Sequence, residues 1–534
     1  MQAMDHPNSP LQLTKQNIKG WYFYSFSSEP FVVSAVSTYI PLLLERFARS
    51  NGVQLGNHSL PCTSESDKCV LPLFNTFYVD TASFALYTFS VSVLFQTITV
   101  VTISGIVDLW NSVKLKGLVL VMFSVIGAVT TIFISRLAES QIYALPLLYI
   151  VANSCFGVIN VVGNSLLPIF VSDLVKYSDD SNQPLGGSES SIEKLSSIIS
   201  GRGASLGYSS ALLTQIVSMF LVHKSRTQQD IQVAVLFVGV WWLFWQLPML
   251  WLFNDIPHAD GSLSSSPVSS TSSRLARSRE YYSNKKIWSL KSLGYGWKSL
   301  WSAFKHARLL KDVMIFLLGW FIISDSVTTI NSTAILFAKT ELEMVTLNLI
   351  TISVITMVDA MIGAFVIPQF LAKRFNLLPH QILMYIILWT SFIPFYGILG
   401  FFFENIGLKH KFEMYMLAVW YGLSLGGLSA VSRSVFSLII PKGKESTFFS
   451  MFSMTDKGSS IIGPFLIGLV TDKTHEIRYS FYLLFALLML ALPVLNSLDV
   501  GRGKREAEEL ASIITSRQNS PEASVPPEEH LQTD

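Results

Sequence analysis

The sequence predicts an all-α membrane protein of about twelve transmembrane helices, arranged as two six-helix halves. Three observations carry this expectation. Only 14% of the 534 residues are charged, against about 25% in soluble proteins. The apolar residues gather in runs near the roughly 20 residues that a helix needs to cross a bilayer. One long polar stretch divides those runs six and six.

The first run is Trp21–Leu44, preceded by a polar segment with Lys15 and Lys19 and no cleavage pattern, so it is expected to stay in the membrane. Next come Thr81–Ile103, Gly117–Ser135, Ile142–Val171, Ser205–His223 and Ile231–Phe253. The later spans are Asp312–Leu336, Thr346–Ile367, Pro379–Phe402, Met414–Leu438, Thr447–Val470 and Ser480–Val500. Ser, Thr and Gly interrupt the fifth and eleventh. The implied organisation is a tail over 1–20, a first half over 21–253, a central loop over 254–311, a second half over 312–500 and a tail over 501–534. The loop is Ser-rich over Ser262–Ser273 and then basic, with Trp288, Trp297 and Trp301 suiting a segment on the membrane surface. This layout is that of major-facilitator transporters.

Basic residues set orientation. With both termini on one side, that side receives about 26 of the 38 Lys and Arg residues, central loop included. Both termini and the loop are therefore expected in the cytosol. The first opposite-side loop, Glu45–Val79, contains the glycosylation pattern Asn57-His58-Ser59 together with Cys62 and Cys69. Chance explains either feature alone. Their joint occurrence suits an oxidising compartment and a Cys62–Cys69 disulfide. A second pattern begins at Asn331, close to the expected membrane boundary. No Cys or His cluster has metal-ligand spacing, and no nucleotide-binding or hydrolase motif occurs, so neither cofactor, metal nor catalysis is expected. The near-neutral balance gives no sign of a nucleic-acid partner.

Inside a bilayer every polar side chain needs a partner or a cavity. The fourth span carries Asn153, Gly157, Asn160, Asn164 and Pro168 on one helical face. Such a stripe lines a polar path or glues helices together. Glu29-Pro30 in the first span reads either as a discontinuous helix at a mid-membrane site or as an acid near the cytosolic end. Asp325, Asp359 and Asp456 fall near the centres of their spans, with Lys457 as the only basic residue deep in one. A carboxylate there costs at least about 2.5 kcal/mol unless protonated, paired or wet. Lys457 is expected to pair with a carboxylate on another helix or to belong to a structural ion pair. Asp359, with no basic residue in its span, is the favoured proton site. Ala418, Gly422, Gly426 and Ala430 form a seam of small residues for close packing.

Several stretches together carry a family resemblance. They are Gly422-Leu-Ser-Leu-Gly426-Gly427, Ser432-Arg433-Ser434, Ile440-Pro441, Glu445, Phe448-Phe449, Lys457-Gly458-Ser459-Ser460 and Gly463-Pro464, with Gly20-Trp21-Tyr22 and Ser28-Glu29-Pro30-Phe31 at the start. They resemble the fungal autophagy-related vacuolar amino-acid exporters, a branch of the major facilitator superfamily. The resemblance implies residence in the vacuolar membrane and export of amino acids such as leucine, isoleucine and tyrosine after autophagic protein breakdown. It also implies an acidic lumen whose protons are available for coupling. The chain departs from ordinary facilitators after the second span. Gly105-Ile-Val-Asp108 is followed by Leu109-Trp110, and the basic residues come only at Lys114 and Lys116. The gating contacts of ordinary facilitators are therefore not expected to carry over.

A transporter is favoured over a membrane scaffold or sensor of the same fold, since a scaffold has no need of charges at the bilayer centre. A facilitator for another small solute is the remaining alternative. The topology is testable by cysteine-accessibility labelling. Positions in 254–311 should react from the cytosolic side and positions in 45–79 from the lumenal side. Lumenal labelling of the central loop would overturn the orientation.

Overall fold

The computed structural model describes residues 9–55, 60–62, 69–73, 77–110, 112–179, 189–222, 228–256, 290–305, 310–344, 346–460, 462–474 and 476–519. Among these, eleven helical segments are long and apolar enough to cross a bilayer. A twelfth crossing is divided between two shorter helices.

The first crossing runs from Pro10 to Ser50. Helix α1 (Pro10–Pro30) opens with Ser9 Oγ accepting the Gln12 N–H at 3.3 Å and with Pro at the first position, which has no N–H to leave unsatisfied. Past Pro30 the chain stays helical but widens to a π-helix over Phe31–Tyr39, then resumes as α2 (Ile40–Ser50). Proline removes one backbone donor. Here the helix responds by widening, and it is not discontinuous. Glu29 stands near the middle of this 41-residue element, well away from its end.

A three-stranded antiparallel sheet follows: β1 (Val53–Gln54), β2 (Cys69–Leu73) and β3 (Phe77–Asp80), in that order. Leu71 stands opposite Val79. Cys62 and Cys69 are joined as a disulfide beside it. Asn57 lies outside the described residues, and Asn331 is exposed on a helix.

The remaining spans before the central segment are α3 (Thr81–Val107), α4 (Val113–Ile134), α5 (Ala144–Asp179), α6 (Glu189–Val222), and α7 (Gln228–Trp245) with the single turn α8 (Met249–Leu252). Helix α9 (Leu290–Lys305) belongs to the central segment. The later spans are α10 (Lys311–Thr340), α11 (Thr346–Arg374), α12 (Pro379–Leu399) and α13 (Lys411–Ile439). Then come α14 (Glu445–Ser459), α15 (Ile462–Thr474), α16 (Ser480–Asn496) and a terminal helix α17 (Val500–Asn519).

The eleventh crossing, read from sequence as one span over Thr447–Val470, is broken between α14 and α15. The chemistry explains the break. Pro464 has no N–H to give the preceding turn. Gly463 instead donates its N–H to Asp325 Oδ1 of α10 at 2.8 Å. The small-residue seam of α13 packs directly on α11. A Cβ on Gly426 would collide with the Ala360 carbonyl oxygen. Ala360, Ala364 and Ala430 are fully buried there with Ala211 of α6, so the three helices approach closely through small residues.

The starts of α1 and α10, the end of α8 and helices α9 and α17 share one face, called the terminus face below. Asn17 donates from Nδ2 to the Asn254 carbonyl at 2.9 Å and accepts the Asn254 N–H at 2.8 Å. Arg502 forks onto buried Asp312 at 2.6 and 2.7 Å. Helix α9 lies against α3. Gly296 meets Gly105 so closely that a Cβ on either would strike the other helix's backbone. Trp297 Nε1 donates to Thr102 Oγ1 at 3.1 Å. Tyr295 contacts Lys444, whose ammonium stands 4.3 Å from the ring centre. Helix α9 thus touches α3 and the turn before α14 at once.

Overpacking such a contact costs about 1–3 kcal/mol. Gly296→Leu should release α9, seen as lost hydrogen-exchange protection over 290–305 with the spans unchanged. Unaltered protection would show that this contact does not hold the helix.

Candidate functional site

A cavity of about 210 Å³ lies between the first six spans and the later ones. Its walls come from α1 (Tyr24, Glu29), α3 (Gln96), α5 (Asn160, Asn164) and α6 (Tyr208), facing α10 (Trp320), α13 (Ser429, Arg433) and α14 (Phe452, Asp456, Lys457). Two acids and two bases therefore share one small chamber. Arg433 and Lys457 are the cations that act electrostatically on Glu29. Val32, Phe156, Trp320 and Phe452 supply apolar wall.

Hydrogen bonds hold several of these polar groups in place. Arg433 donates from Nε to the Ser429 carbonyl of its own helix at 2.9 Å and from Nη1 to Asn164 Oδ1 at 3.2 Å. Asn164 Oδ1 also accepts the Tyr24 hydroxyl at 3.1 Å, and Asn164 Nδ2 donates to Asn160 Oδ1 at 2.8 Å. Asp456 accepts Ser324 Oγ at 2.7 Å and Trp320 Nε1 at 3.3 Å. Tyr208 and Ser429 share a hydroxyl bond of 2.8 Å across the two sets of spans. Arg433 bonds the Ser429 carbonyl and Asn164 and also meets the Tyr24 hydroxyl, and the remainder of its five-donor fork is open to an anion.

The structure divides the residues singled out from sequence. Of the stripe on α5, Asn160 and Asn164 face the chamber. Asn153 instead donates to Ser92 Oγ at 2.9 Å, and Gly157 admits the Gln96 side chain. Glu29, Asp456 and Lys457 line the chamber. Asp325 is occupied by the start of α15, and Asp359 is half-buried against Gly422, outside the chamber. Among the described residues no ion pair within 4 Å joins Lys457 to Asp325, Asp359 or Asp456. Lys457 is also not the only base within a span, because Arg433 lies inside α13. The sequence already held that signal in Ser432-Arg433-Ser434, six residues before the end of an apolar helix. Tyr24, Tyr208 and Trp320 carried no such signal, since aromatic residues are ordinary in spans. No group of three His, Cys, Asp or Glu among the described residues is placed to hold a metal.

Access is closed on the terminus face. Asp108, just past α3, accepts the N–H groups of Ser446 and Thr447 at 2.8 and 2.7 Å and the Thr447 hydroxyl at 2.6 Å. A carboxylate at a helix start satisfies open donors and meets the positive end of the dipole. Burial pushes the Asp108 carboxyl up to about 6, opposed by Lys116 and assisted by Glu445. Only the carboxylate of Asp108 is needed to cap α14, so Lys114 and Lys116 take no part in the cap. Ser200 Oγ to the Ala430 carbonyl (2.7 Å) and Ser196 to Ser437 (3.1 Å) close the same side. Among the described residues, hydrogen bonds between the two sets of spans lie at the chamber or on its terminus side.

Three hydrogen bonds to a charged acceptor are at stake, each worth about 1.5–3 kcal/mol. Asp108→Ala should loosen the terminus-face closure, read as at least tenfold faster alkylation of a cysteine introduced at Ser165, which contacts Ser446 at 3.0 Å. Unchanged reactivity would remove Asp108 from the gate.

A model of the family described as "Vacuole effluxer Atg22 like" matches residues 13–508. Autophagy-related protein 22 of Saccharomyces cerevisiae is 65% identical over 520 residues, 95% of this chain and 96% of that protein. The protein of the same name from Vanderwaltozyma polyspora is 62% identical over 506 residues, 94% of this chain and 95% of its own. Among solved structures, the Escherichia coli fucose:proton symporter FucP superposes with a TM-score of 0.55 at 12% identity, covering 92% of this chain and 99% of its own. The human organic anion transporter MFSD10 gives 0.59 at 9% identity over 92% and 100%. At such identities these likenesses show the fold, which is that of the major facilitator superfamily.

Proposed function

The chain belongs to the Atg22-like vacuole effluxer family, and from that premise we propose that it exports neutral amino acids, such as leucine, isoleucine and tyrosine, from the vacuole lumen to the cytosol. Its family and fold make it a multi-pass membrane transporter of the vacuole. The observation that supports this substrate class is that Glu29, Asp456, Arg433 and Lys457 share one apolar-walled chamber. A zwitterion presents one carboxylate and one ammonium. Arg433 and Lys457 suit the first, Glu29 and Asp456 the second, and Phe156, Trp320 and Phe452 suit an apolar side chain. Charge-assisted bonds in a site shielded from water give both affinity and orientation.

The chamber is sealed on the terminus face, which the basic residues place in the cytosol. In this state the site is loaded from the lumen. Opening requires α14 to leave Asp108, after which substrate departs toward the cytosol. Protons running down the gradient from an acidic lumen are suited to drive this cycle. The sequence favours Asp359 as their carrier. The chamber favours Glu29, which faces both cations and the substrate.

Efflux of labelled leucine and tyrosine from liposomes containing the purified protein tests the reading. Arg433→Ala should raise the half-saturating leucine concentration at least tenfold, as loss of about 1.5–3 kcal/mol in a charged hydrogen bond requires. Glu29→Gln should raise the half-saturating leucine concentration, since Glu29 also meets the ammonium, and lose the acceleration of transport by an acid lumen. Loss of that acceleration in Asp359→Asn, with Glu29→Gln unaffected, would return the role to Asp359. Absence of any leucine or tyrosine movement in the wild type would refute amino-acid export.

A further inference from the structure

A second and larger cavity, of about 500 Å³, opens on the terminus face. It is separate from the chamber and shares no lining residue with it. Its walls come from the end of α5, the start of α6, the end of α13, the start of α14 and helix α17. It therefore exists only while the helices of the terminus-face gate are together.

Its lining carries an unanswered acid. Glu445 is only 6% exposed. Oε1 accepts the Gly443 N–H at 2.9 Å, while Oε2 is buried with no hydrogen-bond partner. A buried carboxylate oxygen without a donor is costly in a folded protein and calls for a ligand group or ion. An ordinary cation does not account for the rest of the wall, which is mainly apolar through Pro168, Ile192 and Leu438. The exposed Lys442, three residues before Glu445, adds a positive group at the same cavity.

We propose that this cavity is a second amino-acid site, in which the ammonium of a neutral, apolar amino acid is received by Glu445, its carboxylate by Lys442 and its side chain by the apolar wall. The inference rests on the transport reading above and deepens it. The face is the one onto which substrate would be released, so the ligand there is the product.

The consequence for the gate follows from charge. Glu445 stands close enough to Asp108 to act on it as a like charge. That repulsion works against the carboxylate cap that holds α14 to α3. An ammonium at Glu445 relieves it. The ligand also touches both sets of spans and binds the closed gate alone. Occupancy must then favour closure by the factor 1 + [L]/Kd, about elevenfold at ten times the dissociation constant. Accumulated product would slow its own export.

Equilibrium binding of labelled leucine to the purified full-length protein tests this. The wild type should bind two equivalents. Arg433→Ala should lose the chamber equivalent and keep the other. Glu445→Gln, and separately Ala511→Trp, which fills the cavity from α17, should lose the terminus-face equivalent and keep the chamber. In liposomes, unlabelled leucine on the terminus face should slow net efflux from the wild type and not from Glu445→Gln. A single wild-type equivalent that disappears in Arg433→Ala overturns the second site and leaves the transport reading standing. Two equivalents indifferent to both Glu445→Gln and Ala511→Trp overturn it as well. No leucine binding and no leucine movement in the wild type would sink both readings together.

Discussion

A helix that starts inside a membrane protein leaves backbone N–H groups open where water is scarce, and the fold is organised around how aspartates answer them. Asp108 accepts the first N–H groups of α14. Asp325 accepts the Gly463 N–H at the start of α15. Asp312 accepts the Asp499 N–H just before α17 at 2.9 Å and is forked by Arg502. Each carboxylate is held by a helix other than its own. Each therefore fixes one element against another while also lowering the electrostatic cost of its own burial. The first of the three also joins the two sets of spans, so it is one of the contacts that close the terminus face.

The same demand sorts the remaining charges. Arg433, Lys457, Glu29 and Asp456 have no hydrocarbon-facing alternative, so they converge on a polar chamber between the two sets of spans. Amides on α5 and the hydroxyls of Tyr24 and Ser324 then restrain them. Opposite charges are brought near without direct pairing inside the chamber. That leaves donors and acceptors open to a substrate with both signs of charge, where a closed ion pair would have satisfied itself.

Around this centre the closed face is built in layers. Small residues allow α6, α11 and α13 to approach through their backbones, with Gly426 against Ala360. Helix α9 adds a contact to α3 at Gly105 and another at Lys444, beside the Asp108 cap. Helix α17 adds Lys504 to Glu193 at 2.7 Å, from the last element of the chain to the start of α6. The chain segments between and after the spans therefore reinforce the face on which the gate stands.

The sequence alone determined the all-helical membrane class and the position of most crossings, because these depend on local apolar length. The motif stretches were enough to suggest the family. It also marked Glu29, Asn160, Asn164, Asp456 and Lys457, since a polar residue in an apolar run is conspicuous in one dimension. Tertiary structure alone decided which of them meet. Asn153 and Asn164 share a face of one helix, yet the first meets Ser92 and the second meets Arg433. Asp325 and Asp456 both fall within apolar runs of the sequence, yet one is consumed by a helix start and the other lines the chamber. Spacing along a helix states which side chains share a side. Which neighbour covers that side depends on packing between residues hundreds of positions apart, such as Asn164 with Arg433, and no local pattern encodes it. The break between α14 and α15 was likewise hidden, because hydropathy counts apolar residues and not the backbone donor that Asp325 takes from Gly463.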